Sequence, residues 1–200
     1  MNEDDVFRWC LIAGLFVWLP IVAYYRIRAH RTREPLDRRQ EGVFILATLR
    51  PAGLVFFVSL FVYLVNPARM AWSAVALPAP VRWSGVVLIA AATALLFWTL
   101  RTLGANLTDT VVTRKAHTLV IKGPYRWVRH PFYDAVAMLL LAFSLAAANW
   151  FMLLTGVLVF TLLAVRAPRE EARLVARFGD DYRAYMARTN RFLPTLTRHR

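Results

Sequence analysis

Residues 132–167 read FYDAVAMLLLAFSLAAA-N-WFMLLTGVLVFTLLAVRA, two apolar arms joined at Asn149. As a helix each arm, Phe132 to Ala148 and Trp150 to Ala167, reaches ~25 Å, slightly short of a ~30 Å hydrocarbon core. One polar residue leaves room only for a turn, so the pattern predicts a tight helical hairpin. A hairpin returns its two ends to the same place. Those ends carry the polar strings GPYRWVRHPFYD (Gly123 to Asp134) and RAPREEARLVARFGDDYRAY (Arg166 to Tyr185). Geometry alone therefore brings two clusters distant in sequence together at one membrane surface.

Working outward, three further apolar runs precede the hairpin: Val6 to Tyr25, Val43 to Val65 and Trp83 to Leu103. With 58% hydrophobic residues the chain is richer in apolar side chains than a soluble domain usually is. Arg50-Pro51 interrupts the second run and leaves two readings open. Arg50 lies either at the membrane surface, with Val43 to Leu49 an interfacial helix, or within the membrane facing a polar cavity. Asn66-Pro67 ends that run, because proline disfavours helical geometry in the residue before it. The expected fold is all-α: a polytopic membrane bundle of about five crossings, the last two a hairpin, followed by a cytosolic C-terminal helix. In that tail Leu174, Phe178, Tyr182 and Tyr185 recur at helical spacing, and Gly179 is placed to break the helix. Residues 1–83 are expected to form the N-terminal membrane helices, and 84–200 a core that carries the site.

The net charge of +13 raises the question of nucleic-acid binding. Its distribution argues for the lipid bilayer instead. With five crossings, one side holds only Arg8, Arg69 and Arg82, and every other lysine and arginine lies on or near the opposite side. Basic loops stay in the cytoplasm, so the N-terminus is expected outside and the C-terminus inside. The acidic start, MNEDDVFRW, lacks the basic region of a cleaved signal peptide, and the first run reads as a retained anchor. The single cysteine and four scattered histidines give no metal spacing.

In the second cluster Arg166 and Glu170 are i and i+4 and share a helix face, while Glu171 points about 100° further round. These are either a functional set or ordinary ion pairs on a cytosolic helix. In the first cluster Pro131 is placed to start the hairpin helix, and backbone amides at a helix start favour an anionic group. Arg129 adds charge. Tyr125, Trp127 and Tyr133 either line a pocket or serve as interfacial anchors.

The string LGANLTDTVVTRKAHTLVIKGPYRWVRHPFY resembles the core of the isoprenylcysteine carboxyl methyltransferase family, which belongs with the phospholipid methyltransferases. The resemblance rests on Gly104 and Asn106, then His117 to Val120, Gly123-Pro124-Tyr125, Arg129-His130-Pro131 and Tyr133. The second cluster continues it with Arg166, Glu170-Glu171, Leu174, Phe178-Gly179, Tyr182, Tyr185 and Pro194. It covers roughly residues 84 to 195. Ala135 stands where the family often has glycine.

The resemblance implies an integral membrane methyltransferase dependent on S-adenosylmethionine, with a lipid-like or prenylated acceptor and a bacterial inner-membrane location. It places the cofactor at Gly123, Pro124, Tyr125, Arg129, His130, Pro131, Tyr133, Glu170 and Glu171. Glu170 and Glu171 suit the ammonium or ribose hydroxyls, and the main chain at Gly123 to Tyr125 and His130-Pro131 suits the carboxylate and adenine. Arg166 and Glu170 are the expected catalytic pair, Arg166 holding an acceptor carboxylate through a forked hydrogen bond. A soluble-type methyltransferase would need a glycine-rich loop, and the nearest glycines here, Gly42 and Gly53, are too far apart to form one. The competing classes are a membrane NADPH-dependent sterol-type reductase and a non-catalytic lipid-binding protein.

Overall fold

The computed structural model describes residues 3–31, 45–104 and 118–194. Asn106 and His117, two of the residues that carried the resemblance, lie outside the described residues. Among the described residues six α-helices make up the bundle: α1 Glu3–Arg31, α2 Arg50–Val65, α3 Ala79–Leu103, α4 Pro131–Ala146, α5 Trp150–Phe178 and α6 Asp180–Arg188. Among the described residues four helical stretches, in α1, in α2 with the turn before it, in α3 and in α5, are long and apolar enough to cross a membrane, and α4 is a shorter apolar helix, in keeping with about five crossings. Among the described residues there are only isolated bridges, Ala74 with Asn149 and Val128 with Asn190.

The hairpin forms as expected. Asn149 caps α5 by accepting from the Met152 N–H at 3.0 Å, and its amide nitrogen donates to Ser73 Oγ at 2.7 Å. The same residue thus starts a helix and ties the turn to the 3-10 segment Pro67–Ser73. Val75 N–H donates to Ala148 O at 2.8 Å and completes that seam. Beneath it α3 and α4 approach closely. A Cβ on Gly85 would stand 2.8 Å from both Ala142 O and Ala146 N, so only glycine permits this crossing. Phe56, Leu140, Phe143 and Met152 fill the centre where α2, α4 and α5 meet.

α1 is the least buried of the long helices. Two arginines fasten its N-terminal end. Arg8 donates to Leu64 O at 2.5 Å and Val65 O at 3.1 Å, satisfying carbonyls that α2 leaves open at its C-terminus. Arg82, 6% exposed, pairs with Asp4 at 2.8 Å, donates to Ala146 O at 3.1 Å and lies 4.0 Å over the Phe7 ring. A buried guanidinium at a membrane surface is tolerable because it is paired on every side.

Two elements differ in extent from the sequence expectation. The turn Ile45–Leu49 is π-helical and runs straight into α2, so Ala47–Val65 is one apolar stretch with Arg50 exposed at its start. Pro51 falls in the first turn of α2, where its missing N–H breaks nothing. α5 does not stop at the end of the apolar arm. It continues through Pro168 to Phe178, because Ala167 and Glu171 are buried and tertiary packing offsets the one hydrogen bond that proline removes. Gly179, at φ 58°, ends α5 and admits the turn into α6.

Candidate functional site

The continuation of α5 past the membrane lets the two polar clusters meet. Arg166 and Glu170 share a face of α5, with Arg166 donating to Glu170 Oε1 at 3.0 Å. Tyr133, in the first turn of α4, donates to Glu170 Oε2 at 2.5 Å. His130 Nδ1 stands 3.8 Å from that oxygen. The Nε of Arg166 is buried and has no hydrogen-bond partner among the described residues.

One residue on, Glu171 faces inward and is 3% exposed. Its Oε1 lies 2.8 Å from Arg129 Nε, 3.2 Å from His130 Nε2 and 3.1 Å from Arg191 Nε, and its Oε2 takes Arg191 NH2 at 2.6 Å. Arg129 also donates to the carbonyls of Met186 and Thr189. Two cations and an imidazole therefore occupy Glu171 fully, whereas Glu170 keeps acceptor capacity. The Glu171 hydrogen bonds raise the Arg191 guanidinium above its ordinary pKa.

A cavity of about 600 Å³ opens against these groups. At its charged end it is lined by Tyr125, Arg129, His130, Tyr133, Arg166 and Glu170. Leu174, Phe178, Tyr182 and Tyr185 close it from α5 and α6. At its other end Trp18, Gly53, Phe57, Phe143 and Val159 line it from the membrane helices. Tyr185 donates to Tyr125 O at 2.5 Å, which pins α6 to the segment Gly123–Arg126. Burial pushes the Tyr185 hydroxyl up to about 12 and the hydroxyls of Tyr125 and Tyr182 upward as well, so all three remain protonated donors.

Of the residues selected from sequence, Gly123, Pro124, Pro131 and Glu171 do not line the cavity. Gly123, at φ 59°, is pressed against Thr102 and Trp98, and Pro124 is buried behind it. The two amides just before α4 are already used and cannot serve the anion site expected there. The N–H groups of Arg129 and His130 donate to Asn190 O and Arg191 O, Tyr125 N–H donates to Lys122 O, and proline at 131 has none. The chain's own C-terminal segment has taken the amides of Arg129 and His130. Sequence reasoning missed Arg191 and Phe192, which belong to that segment, and Trp18, Gly53 and Phe57, which looked like ordinary lipid-facing helix. The one available signal was Glu171 itself, since a buried carboxylate demands cations and Arg191 lies one helix away.

Comparison with known proteins agrees with the arrangement. The profile of the isoprenylcysteine carboxyl methyltransferase family matches residues 85–176, which span α3 to the polar end of α5. The chain is 30% identical over 125 residues to the uncharacterized protein YpbQ of Bacillus subtilis, covering 60% of this chain and 68% of that protein. It is 32% identical over 83 residues to the protein-S-isoprenylcysteine O-methyltransferase of Schizosaccharomyces pombe, covering 41% of this chain but only 35% of the yeast protein. The solved structure of a eukaryotic intramembrane Ras methyltransferase superposes with a TM-score of 0.53 over 92% of this chain and 68% of that one. At 15% identity that likeness speaks for the fold alone. With a helical membrane bundle, a hairpin flanked by two converging polar clusters, and these matches, the chain belongs to the isoprenylcysteine carboxyl methyltransferase family.

Proposed function

We propose that this protein is a membrane methyltransferase that uses S-adenosylmethionine and methylates the carboxylate of a lipid-like acceptor. One observation carries the reading: a single cavity joins a charged, tyrosine-rich end to an apolar end walled by membrane helices. Its volume is in the range of small-molecule and cofactor sites. The charged end matches the chemistry of the cofactor. Glu170 suits the ammonium or ribose hydroxyls, the arginines suit the carboxylate, and tyrosine faces attract a sulfonium cation. The apolar end suits an alkyl or prenyl tail. No comparable feature favours a nicotinamide cofactor or a purely lipid-binding role.

When bound, S-adenosylmethionine supplies a methyl carbon open to in-line attack. The protein's part is alignment and exclusion of water, from which most of the rate gain would come. A carboxylate acceptor arrives ionised and asks for no general base. Arg166 is the residue assigned to it. Its NH2 is held by Glu170, while its buried Nε has a hydrogen to give and no acceptor among the described residues. A cation left half-satisfied at the end of an apolar helix favours an anionic ligand group. Glu171 is assigned to the protein side of the wall: it fixes Arg129 and His130 and does not touch the cofactor. Gly123, Pro124 and Pro131 shape the wall. Residues 1–83 contribute much of the apolar end and residues 84–200 the charged end. The basic loops support a charged end at the cytoplasmic face, of the inner membrane in a bacterial host, with the N-terminus outside.

The test is calorimetry on detergent-purified protein with S-adenosylmethionine, with NADPH and with neither. Heat of binding with S-adenosylmethionine alone is expected. Binding of NADPH alone would replace this reading by a reductase, and no binding of either would leave a non-catalytic protein.

A further inference from the structure

Behind the cavity wall lies an arrangement that the assigned roles do not use. After α6 the chain turns back and runs beside Val128–His130, with a parallel bridge between Val128 and Asn190. Asn190 O accepts from Arg129 N–H at 2.9 Å and Arg191 O from His130 N–H at 3.1 Å. The Arg191 guanidinium forks onto Glu171. The Phe192 ring lies 5.9 Å from the His130 ring and 6.5 Å from the Tyr133 ring, the latter within 26° of parallel. Phe160 backs it at 5.5 Å. His130 and Tyr133 line the cavity, whereas Arg191 and Phe192 do not.

We propose that Thr189–Phe192 is a positioning strap for the cofactor site. Phe192 sets the ring planes of His130 and Tyr133, and Arg191 locks Glu171, which in turn orients Arg129 and His130. The consequence falls on the Tyr133 hydroxyl. It reaches Glu170 at 2.5 Å only in the present ring orientation, and a swing about its first side-chain torsion would carry it away and leave Glu170 held on its Arg166 side alone. Binding groups must be held to about half an ångström, and the supporting shell does the holding. The inference rests on reading the cavity as the S-adenosylmethionine site.

The test separates ring alignment from simple packing. Phe192→Leu keeps apolar volume and removes the flat face, while Phe192→Tyr keeps the face. Full-length variants in detergent are titrated calorimetrically with S-adenosylhomocysteine, and their ligand-free Tm is measured. Phe192→Leu is expected to weaken binding about tenfold with a Tm close to the parent's, and Phe192→Tyr to bind within about twofold of the parent. Equal affinity of Phe192→Leu and the parent, or equal loss in the Leu and Tyr variants, overturns the strap. If Phe192→Leu does not fold, Arg191→Lys carries the test, since lysine keeps the charge and loses the fork on Glu171. Unchanged affinity in that variant overturns the strap as well. Failure of the parent to bind S-adenosylhomocysteine removes the cofactor site and the strap together, an outcome distinct from either variant result.

Discussion

Two adjacent glutamates show how little separates a ligand-facing group from a structural one. Glu170 and Glu171 are about 100° apart on α5. One lines the cavity with acceptor capacity left, and the other is buried among Arg129, His130 and Arg191. Identical chemistry in adjacent positions gave no way to tell them apart from spacing, which is why the sequence assigned both to the cofactor. Their variants should differ accordingly. Glu170→Gln is expected to weaken S-adenosylmethionine binding about tenfold with little change in Tm. Glu171→Gln is expected to lower stability by about 3 kcal/mol, because buried cations lose their counter-charge. Thermal melts with and without ligand check both, and the reverse pattern contradicts the assignment. A second expectation concerns pH. An acceptor carboxylate is ionised above about pH 5, so turnover is expected to be flat between about pH 6.5 and 8.5. The raised Tyr185 hydroxyl works in the same direction. Stability tied to its protonated form is present below its ordinary value of 10.0 and is lost as pH rises through about 12. A tenfold rise in turnover per pH unit across the neutral range would indicate instead an acceptor amine that must first lose a proton.

At the scale of elements, the apolar pattern was the most legible feature. The hairpin, its turn at Asn149 and the break at Gly179 followed from hydrophobic run lengths and from side chains with local preferences. The extents of two helices were less legible. α5 passes through Pro168 because Glu171 and Ala167 are packed on the far side, a tertiary cause invisible to local rules. The closed amides at the start of α4 were missed for the same reason. Their acceptors, Asn190 and Arg191, are some sixty residues away. The close backbone approach of α3 and α4 at Gly85 also came only with the structure. Gly85→Ala would set a methyl group 2.8 Å from two backbone atoms of α4 and is expected to destabilise the protein by about 2 kcal/mol. Gly53→Ala, with nothing within 4 Å of its added Cβ, is the control and is expected to leave Tm within about a degree. Equal Tm values for the two variants would contradict the close α3–α4 crossing.

The whole molecule combines a lipid-facing bundle with a charged face at one end, and the proposed orientation rests on that asymmetry. A reporter active only in the cytoplasm, fused at Arg200, is expected to give signal, and one inserted near Pro78 is expected to give none. Reversed signals would invert the topology. The cavity is the place where the proposed cofactor and acceptor would meet: the membrane helices wall one end and the C-terminal helices close the other. The central claim is that this cavity passes a methyl group from S-adenosylmethionine to a carboxylate on a lipid-like molecule. Its most direct test is transfer of labelled methyl into a membrane extract, followed by partition between organic solvent and water and by mild base treatment. The account predicts label in the organic phase that base releases as volatile methanol, as a methyl ester requires. It also predicts turnover in Arg166→Lys reduced more than cofactor affinity. Label confined to water-soluble molecules, or organic-phase label that resists base, would contradict it.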